Sequence, residues 1–263
     1  MLTDKITDLD YGKIRKRIVS FIKNELRSSK KDGLVVGLSG GLDSSVTTIL
    51  ASEAAGNKLL ALILPSSRVT PTSDIDDAVT LCKKLKIKYD IIDLEQVHSA
   101  MVRRMRPSKL ASGNLLARLR MCVLYYYANR NNMLVLGTSD RSELMIGYFT
   151  KYGDGGADML PIASLYKVQV RALGHYLKLP DSILTKKIGP MLWEKHTAEE
   201  EIGMLYEEID SILYCMFDLK YSPKNTAKKL GIALKKVMRI KKMYNTTVHK
   251  REMPKICKLS LIN

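Results

Sequence analysis

The sequence predicts an α/β fold, a doubly wound parallel sheet with helices on both faces and a small helical part toward the C-terminus. The first observation is that short apolar runs alternate with longer amphipathic segments as far as Thr150. Strands that alternate with helices of roughly ten residues or more imply right-handed crossovers, and hence parallel strands. The second observation is that only helical periodicity continues beyond Thr150, which predicts a helical remainder.

Four apolar runs are the predicted strands. The first and the fourth end in turns of small residues, and a proline closes the second. Because ligands bind at the carboxyl ends of parallel strands, the polar segments at residues 39–45, 65–68 and 138–143 are expected on one edge of the sheet. The strands are predicted at residues 34–38, 58–65, 88–94 and 133–138.

Helices are predicted where apolar residues recur three or four positions apart. Ser73 is the expected N-cap of the helix that begins at Asp74. The chain is interpreted as one domain, with an α/β core over about residues 1–180 and a basic, mostly helical part over about residues 181–263. The predicted helices cover residues 11–29, 43–52, 74–85, 95–106, 114–129, 164–177, 199–219, 226–230 and 234–244.

The composition is that of an ordinary globular protein. Hydrophobic residues make up 46% and charged residues 27%, and no apolar run approaches the length of a membrane span. The N-terminal residues lack the basic and apolar regions of a signal peptide, and the four cysteines are scattered without a C-x-x-C pair. We therefore expect a cytoplasmic protein with reduced thiols and no membrane association.

The net charge of +16 is concentrated near the C-terminus. Residues 220–258 hold eleven lysines and two arginines against a single glutamate. A basic surface suits nucleic acid, anionic lipid or small polyanions such as nucleotides, and charge does not choose among them.

The segment LVVGLSGGLDSS, at residues 34–45, has the pattern of a phosphate-binding turn. An apolar strand breaks into Ser39, Gly40 and Gly41 and then resumes as a helix. Glycines let the backbone approach a phosphate, while free N–H groups and the positive end of the helix dipole face it. Asp43 adds a carboxylate suited to Mg²⁺, and the serines add hydroxyl donors. The sequence lacks the lysine of a Walker A loop, which indicates a different class of phosphate loop.

Several further segments combine high polar density with a definite order along the chain. They are GNLLARLRM at 113–121, GTSDRSE at 137–143, GYFTKYGDGGAD at 147–158, LYKVQV at 165–170, LWEKHTAEEEIG at 192–203 and HKREMP at 249–254. The loop resembles the SGGxDS loop of the ATP pyrophosphatases, and the ordered series resembles the ammonia-dependent NAD synthetases. The series covers most of residues 34–254, which makes the resemblance highly specific. It implies the Rossmann-like fold of the ATP pyrophosphatases.

That family converts deamido-NAD, ATP and ammonia into NAD, AMP and pyrophosphate, and the resemblance implies the same reaction here, the last step of NAD biosynthesis. A carboxylate is unreactive toward ammonia until its oxygen becomes part of a good leaving group. Adenylation of the nicotinate carboxylate by ATP supplies that leaving group, and Mg²⁺ is the expected cofactor. The task of the protein is then positioning and charge stabilisation around the phosphates.

The resemblance also implies roles for individual residues. Asp43 and Glu143 are the implied ligands of Mg²⁺, and Lys167 is placed to neutralise phosphate charge. Asp154 and Asp158 are both candidates for the base that deprotonates ammonium, and the sequence does not choose between them. The implied ATP site comprises Gly37, Leu38, Ser39, Gly40, Gly41, Leu42, Asp43, Ser44, Thr138, Lys167 and Gly189. The implied deamido-NAD site comprises Arg118, Lys151, Asp158, His249 and Lys250, and the implied catalytic set is Asp43, Lys151, Asp154, Asp158 and Lys167.

One segment departs from the family pattern. Family members usually show Pro-[Ser/Thr]-Ala-x-Leu-Trp, whereas residues 188–193 read IGPMLW. Gly189 therefore replaces the hydroxyl residue that touches ATP in the family, which puts that contact in question. Residues 186–197 form a long segment with a Gly-Pro pair, and we expect a mobile loop that covers the substrates.

The nitrogen donor and the oligomeric state also follow from the resemblance. Glutamine-dependent relatives carry an additional amidase domain, and too few residues precede the first strand for such a domain. Free ammonia, or ammonia delivered by a separate partner, is therefore the expected nitrogen source. The family is homodimeric, which implies a homodimer here. The apolar face of residues 114–127 is a candidate interface helix, and a core helix is an equal alternative.

Two other interpretations remain open at this stage. Another ATP pyrophosphatase, of the tRNA-thiolating or GMP-synthesising type, would share the phosphate loop, although thiolation favours cysteines near the active edge. Residues 222–244 also have the pattern of a helix-turn-helix, with a glycine turn followed by a basic helix. The same features suit a helical tail that lines an anionic dinucleotide site, so nucleic acid is not the expected partner.

Overall fold

The structure is a computed structural model that describes residues 2–186, 189, 192–193 and 197–257. The strands of its described part are β1 at Gly33–Gly37, β2 at Leu59–Ile63, β3 at Lys88–Ile91 and β4 at Met133–Leu136. They form one sheet in the order β3-β2-β1-β4, and each neighbouring pair is parallel. The predicted parallel sheet is confirmed, and each strand lies within one residue of a predicted start.

Helices precede, connect and follow these strands. A short 3₁₀ turn at Gly56–Lys58 leads into β2, and a π-helical turn at Tyr214–Asp218 extends the eleventh helix. The helices are α1 Leu2–Thr7, α2 Tyr11–Ser28, α3 Leu42–Ala55, α4 Thr72–Leu85, α5 Glu95–Val102, α6 Lys109–Arg130, α7 Arg141–Ile146, α8 Lys167–Tyr176, α9 Asp181–Leu184, α10 Ala198–Ile202, α11 Tyr206–Leu213, α12 Pro223–Leu230, α13 Leu234–Thr246 and α14 Val248–Arg251.

Successive strand residues face opposite sides of the sheet, and each side packs against its own helices. Leu34 and Val36 belong to a core shared with α2, α3, α4 and α8, whereas Val35 belongs to a core shared with α6. All three side chains are fully buried. Helices therefore cover both faces, which confirms the doubly wound arrangement.

A third core joins the C-terminal helices to the rest of the chain. Val168, in the first turn of α8, packs in one apolar cluster with Tyr206 of α11 and Val237 of α13. Further along the same helix, Val170 and Leu173 belong to the core beneath the sheet. The side chains of α8 thus contribute to two cores at once.

Two details of the predicted helices are wrong. The single helix predicted at residues 199–219 is divided into α10 and α11, because Gly203 adopts a φ of +70° and Leu205 is extended. Ser73 lies inside α4 and is not its N-cap, since the N-cap position belongs to Pro71. Both differences arise from local backbone geometry that apolar periodicity does not report.

The pair α12 and α13 has the form of a helix-turn-helix. Gly231 joins the two helices with a φ of +64°, and Val237 and Ile240 bury one face of α13. That buried face packs against α11, so the pair is part of the third core. Across the described residues, no helix combines the length and the apolar composition that crossing a bilayer requires.

Candidate active site

The phosphate loop, residues 38–44, turns sharply between β1 and α3. Gly40 adopts a φ of +76°, and a Cβ atom there would lie 2.1 Å from the carbonyl oxygen of Asp74. Glycine is required for that close approach. The Ser44 hydroxyl accepts from the Ser39 N–H at 3.2 Å and donates to a loop carbonyl at 3.1 Å, which fixes the turn internally. The N-terminus of α3 is thereby presented at the edge of the sheet, where an anion can bind.

The side chain of Lys167 joins the phosphate loop to two acids that follow β4. Its Nζ atom lies 2.7 Å from Asp43 Oδ2 and 2.8 Å from Glu143 Oε1. Asp140 Oδ2 lies 2.9 Å away as an ion pair without hydrogen-bond geometry. The ammonium is fully buried, and the ring of Tyr206 stacks near it at 5.1 Å. One positive charge therefore faces three carboxylates, which leaves this acidic cluster with surplus negative charge.

The charges of this cluster shift one another's pKa values. Burial by itself would lower the pKa of Lys167, but the surrounding carboxylates raise it well above its ordinary value. Burial raises the pKa of Asp140 to about 7, and it raises the pKa of Glu143 well above its ordinary value. The neighbouring acids add to both increases, while Lys167 opposes them. A further cation at this site would relieve the surplus negative charge.

A buried hydrogen-bond network positions Lys167 at the start of α8. Asp210, on α11, accepts from the Ser142 hydroxyl at 2.5 Å and from the Val168 N–H at 2.9 Å. The oxygen of Ser142 in turn accepts from the Lys167 N–H at 2.9 Å. Two of the free N–H groups at the N-terminus of α8 are satisfied in this way. Asp210, on a C-terminal helix, therefore fixes the start of α8 and with it the position of Lys167 in the site.

We expect Asp210 to make the free energy of unfolding fall as the pH rises. Burial raises its pKa from 3.8 to about 7. Because the folded carboxyl group holds a proton that the unfolded chain releases, its contribution to stability is present below the unfolded pKa and is lost as the pH rises through the folded one. In Asp210→Asn this titration is absent, so the difference in unfolding free energy between wild type and variant should change by up to ~1.4 kcal/mol per pH unit between about pH 4.5 and 6.5.

Denaturant unfolding at a series of pH values measures this difference. Asp76→Asn, which removes an exposed carboxylate on α4, is the matched control and should leave the pH profile parallel to that of the wild type. An Asp210→Asn profile that is also parallel would contradict the expectation.

A cavity of about 1000 Å³ opens at this edge of the sheet. The phosphate loop forms one wall, α6 forms another, and the segment that begins at Ile146 forms a third. Asp43 and Glu143 both line it, so the acidic cluster borders the cavity. A cavity of this size suits ligands as large as nucleotides.

Most of the residues predicted to bind ATP line this cavity. They are Gly37, Leu38, Ser39, Gly41, Leu42, Asp43, Ser44, Thr138 and Gly189. Gly40 lies within the loop, and Lys167 contacts two lining residues, Asp43 and Glu143. Residues 186–197 fall mostly outside the described residues, so the mobility of that loop stays a prediction.

The residues predicted to bind deamido-NAD form a second group, mostly beside the cavity. Lys151 Nζ donates to the carbonyl of His249 at 2.6 Å, and the Lys151 carbonyl accepts from the Arg118 guanidinium at 3.2 and 3.3 Å. Lys250 lines the cavity and donates to the carbonyls of Gly147 and Phe149 at 2.7 Å each. The structure thus brings Arg118, Lys151 and His249 together in one chain of contacts.

The two candidate bases lie in different places. Asp154 lines the cavity, and its carboxylate accepts from the Thr150 N–H at 2.9 Å. Asp154 is exposed to solvent, and desolvation by the protein around its carboxylate raises its pKa, while the Thr150 N–H and the charges of Lys250 and Arg120 oppose this increase. Asp158 is bound by the Tyr125 hydroxyl at 3.1 Å and by the Val135 N–H at 2.7 Å, which ties its segment to β4. Asp154 therefore borders the cavity, whereas Asp158 is tied to β4, and the role of either residue as the base stays a prediction.

Three charged residues of the site were not singled out from the sequence. Asp140 and Glu143 form a capping box at the start of α7, and the D-x-x-E spacing is the sequence signal that could have found Asp140. Asp210 lies far along the chain from its partner Ser142, and no local pattern connects them. Arg120 lies on the cavity wall formed by α6, and helix packing alone places it there.

Asp43 and Glu143 are well placed to hold a divalent cation. Asp43 Oδ1 is buried and has no hydrogen-bond partner among the described residues. Asp43 Oδ2 and Glu143 Oε1 both lie within 2.8 Å of Lys167 Nζ. The two side chains are therefore close enough to bind one ion together. Two carboxylates suit Mg²⁺, because this ion takes one or two carboxylates and completes its shell with phosphate and water.

Comparison with known proteins extends over nearly the whole chain. The family model for NAD synthase matches residues 14–254. A relative from Staphylothermus marinus, described as an NH(3)-dependent NAD(+) synthetase, is 48% identical over 255 residues, which cover 95% of this chain and 93% of the relative.

Solved structures with the same fold include two synthetases of similar size. An NMN synthetase from Francisella tularensis superposes with a TM-score of 0.85 at 34% identity, over 96% of this chain and 100% of that one. An NH3-dependent NAD synthetase from Campylobacter jejuni, in complex with the nitrate ion, gives a TM-score of 0.82 at 30% identity, over 95% of this chain and 100% of that one.

Proposed function

The chain belongs to the NAD synthase family, and from this premise we propose that it forms NAD from deamido-NAD, ATP and ammonia, with release of AMP and pyrophosphate. It is an ammonia-dependent carbon–nitrogen ligase. The observation that carries the proposal is a phosphate loop beside an acidic cluster with one buried lysine, at the edge of a cavity of about 1000 Å³. Family membership favours this reaction over those of the tRNA-thiolating and GMP-synthesising enzymes.

The first step is adenylation of the nicotinate carboxylate. A carboxylate oxygen attacks the α-phosphorus of ATP, the bond from that phosphorus to the bridging oxygen breaks, and pyrophosphate leaves. N–H groups of the phosphate loop and the start of α3 bind the departing phosphates, and Lys167 stabilises their added charge. Asp43 and Glu143 would hold Mg²⁺, which supplies charge neutralisation and polarises the phosphoryl oxygens when bound.

The second step is the attack of ammonia on the activated carbonyl carbon. The new C–N bond forms, the bond from that carbon to the adenylate oxygen breaks, and AMP leaves. Starting from ammonium, two protons must be released along this path. Asp154 lines the cavity and is the candidate to accept one of these protons, and desolvation of its carboxyl group raises its pKa.

We extend the proposal to the assembly and the compartment. The α6 helix exposes Tyr126, with 62% of its surface accessible, and a homodimer formed along this face of the helix would bury it. We place the enzyme in the cytoplasm, where free thiols such as those of its four cysteines stay reduced.

A second substrate is favoured by one observation. The solved structure from Francisella tularensis is that of an NMN synthetase, and it superposes on 96% of this chain. Such an enzyme would amidate the mononucleotide in place of the dinucleotide, with the same loop and the same acidic cluster. The relative from Staphylothermus marinus shares more of its sequence with this chain and favours the dinucleotide.

Purified protein with ATP, Mg²⁺, deamido-NAD and ammonium should form NAD and AMP in equal amounts. Chromatographic measurement of NAD, AMP and ADP during one time course tests this, because cleavage between the α- and β-phosphates cannot yield ADP. Formation of ADP without AMP, or no NAD, would contradict the proposal.

Two parallel arms refine this assay. Glutamine in place of ammonium should support little or no turnover, unless a separate glutaminase is added. Nicotinate mononucleotide in place of deamido-NAD should react less efficiently, and a higher kcat/KM for the mononucleotide would reassign the substrate to the second candidate.

A further inference from the structure

The cavity wall formed by α6 carries an arginine with most of its hydrogen-bonding capacity unused. Arg120 donates through Nε to the carbonyl oxygen of Leu64 at 3.0 Å, just beyond the end of β2. A guanidinium group has five N–H donors, so one is bound and four remain. Among the described residues, Arg120 makes no other hydrogen bond and no ion pair. Its remaining exposed surface lies on the wall of the cavity.

The other cations at the cavity, within the part of the chain that the structure describes, already have ion-pair or hydrogen-bond partners. Lys167 is paired with three carboxylates, and Lys186 forms ion pairs with Asp74 at 2.7 Å and Asp77 at 2.8 Å. Lys250 donates to two backbone carbonyls. Arg120 thus differs from Lys167 and Lys186 in making no ion pair among the described residues, although the Asp154 carboxylate acts on its charge across the cavity wall.

Helix geometry separates Arg120 from the neighbouring Arg118. Residues two apart on a helix point to different sides, whereas residues three or four apart share a side. Ala117, Met121 and Leu124 line the cavity together with Arg120, while Arg118 is exposed and donates to the Lys151 carbonyl. Among its described residues, the wall formed by α6 is therefore apolar around the Arg120 guanidinium except at Asn114, whose amide oxygen accepts from the Thr150 hydroxyl.

A buried, unpaired charge is costly to the folded state unless a partner satisfies it. Burial lowers the pKa of Arg120 to about 10, an effect that the Asp154 carboxylate opposes only in part, and the group stays charged at neutral pH. Both substrates of the proposed reaction carry oxyanions, as phosphates in ATP and as phosphates and a carboxylate in deamido-NAD. Guanidinium binds either anion with a planar, two-pronged geometry.

We propose that Arg120 is a substrate-binding residue that holds an oxyanion of a bound substrate inside the cavity, either a phosphate of ATP or the carboxylate of the pyridine nucleotide. The proposal rests on the proposed function, which supplies both ligands. It assigns a binding role to the second arginine of the GNLLARLRM segment, in addition to the role predicted for Arg118.

Titration calorimetry on the Arg120→Met variant tests the proposal. Loss of a charge-assisted contact should raise the Kd of one ligand by ~10- to 100-fold, measured separately with MgATP and with deamido-NAD. Weakened binding of MgATP identifies a phosphate of ATP as the anion. Weakened binding of deamido-NAD identifies the pyridine nucleotide.

NAD, which has an amide in place of the carboxylate, resolves the second case. If Arg120 holds the carboxylate, the wild type should bind deamido-NAD more tightly than NAD, and Arg120→Met should lose that preference. Arg130→Met, an exposed arginine at the end of the same helix, is the matched control and should leave every Kd unchanged.

A role confined to joining α6 to β2 would lower the melting temperature of Arg120→Met and leave both affinities within about twofold of the wild type, and this result would overturn the proposal. Arg120→Lys keeps the positive charge but loses the planar, bidentate hydrogen-bonding geometry of the guanidinium. It should therefore fold and still raise the Kd of the affected ligand by several-fold. It therefore carries the test if Arg120→Met does not fold. Wild-type protein assayed in parallel separates the two ideas, because failure to form NAD would refute the proposed function and not the binding site.

Discussion

Replacement of Lys167 by methionine should lower the free energy of unfolding by about 3 kcal/mol or more and slow turnover by ~10²- to 10³-fold. The Lys167 ammonium is fully buried and lies within 2.9 Å of carboxylates from Asp43, Asp140 and Glu143. Without it, three carboxylates would face one another beside the cavity with no cation between them. The departing phosphates would also lose a cation. Denaturant unfolding and the rate of NAD formation measure the two effects.

The stability loss in Lys167→Met should depend on pH. Removal of the ammonium takes away the interaction that opposes the raised pKa of Asp140, so the folded pKa would rise further. A raised folded pKa contributes stability that is present at low pH and lost as the pH increases, and the deficit should therefore be smaller near pH 5 than near pH 8. Lys23→Met, an exposed lysine on α2, serves as the control. An equal deficit at both pH values would refute the account.

Replacement of Asp43 by asparagine should reduce turnover by ~10³-fold or more through loss of the metal, and Glu143→Gln should act in the same way. Asp43 Oδ1 is buried without a hydrogen-bond partner among the described residues, which leaves it available to a cation. The fold should persist, because each change removes a negative charge from a cluster that has too many. Calorimetric titration with Mg²⁺ and a non-hydrolysable ATP analogue should show loss of the metal-dependent part of the affinity.

The matched control for Asp43→Asn is Asp76→Asn, which removes an exposed carboxylate on α4 and should leave metal-dependent binding unchanged. Metal-dependent binding that survives in both Asp43→Asn and Glu143→Gln would show that the cation is held elsewhere. A cooperative loss of structure in these variants would show that the acidic cluster stabilises the fold, contrary to the expectation.

The sheet could be predicted from the sequence because its strands are nearly continuous apolar runs bounded by glycine, proline and polar residues. The same reasoning placed the carboxyl ends of β1 and β4 on one edge of the sheet. In the structure, Asp43 and Glu143 both contact Lys167 Nζ at that edge. Helix breaks were harder to predict. Acidic residues and apolar spacing continue through Gly203, and the left-handed turn becomes visible only in the folded backbone.

The site itself was predicted in part. The loop and Lys167 carry local signals or stand in recognisable segments, and the metal and substrate roles assigned to them stay predictions. Asp210 has no such signal, since its two partners come from other segments and are defined only by the packing of α8 on α11. Arg120 shares its segment with Arg118, and the difference between them is the direction in which each points from α6.

Because α8 contributes side chains to two hydrophobic cores, the position of Lys167 depends on both cores being folded. Lys167 is held from one side by Asp210 through the first turn of α8, and Val170 and Leu173 anchor the rest of that helix beneath the sheet. Opening of either core would release the backbone amides of this turn to exchange with solvent and would free the lysine. A partly folded chain, during synthesis or after local unfolding, would therefore lack the buried charge that we propose for the phosphate site.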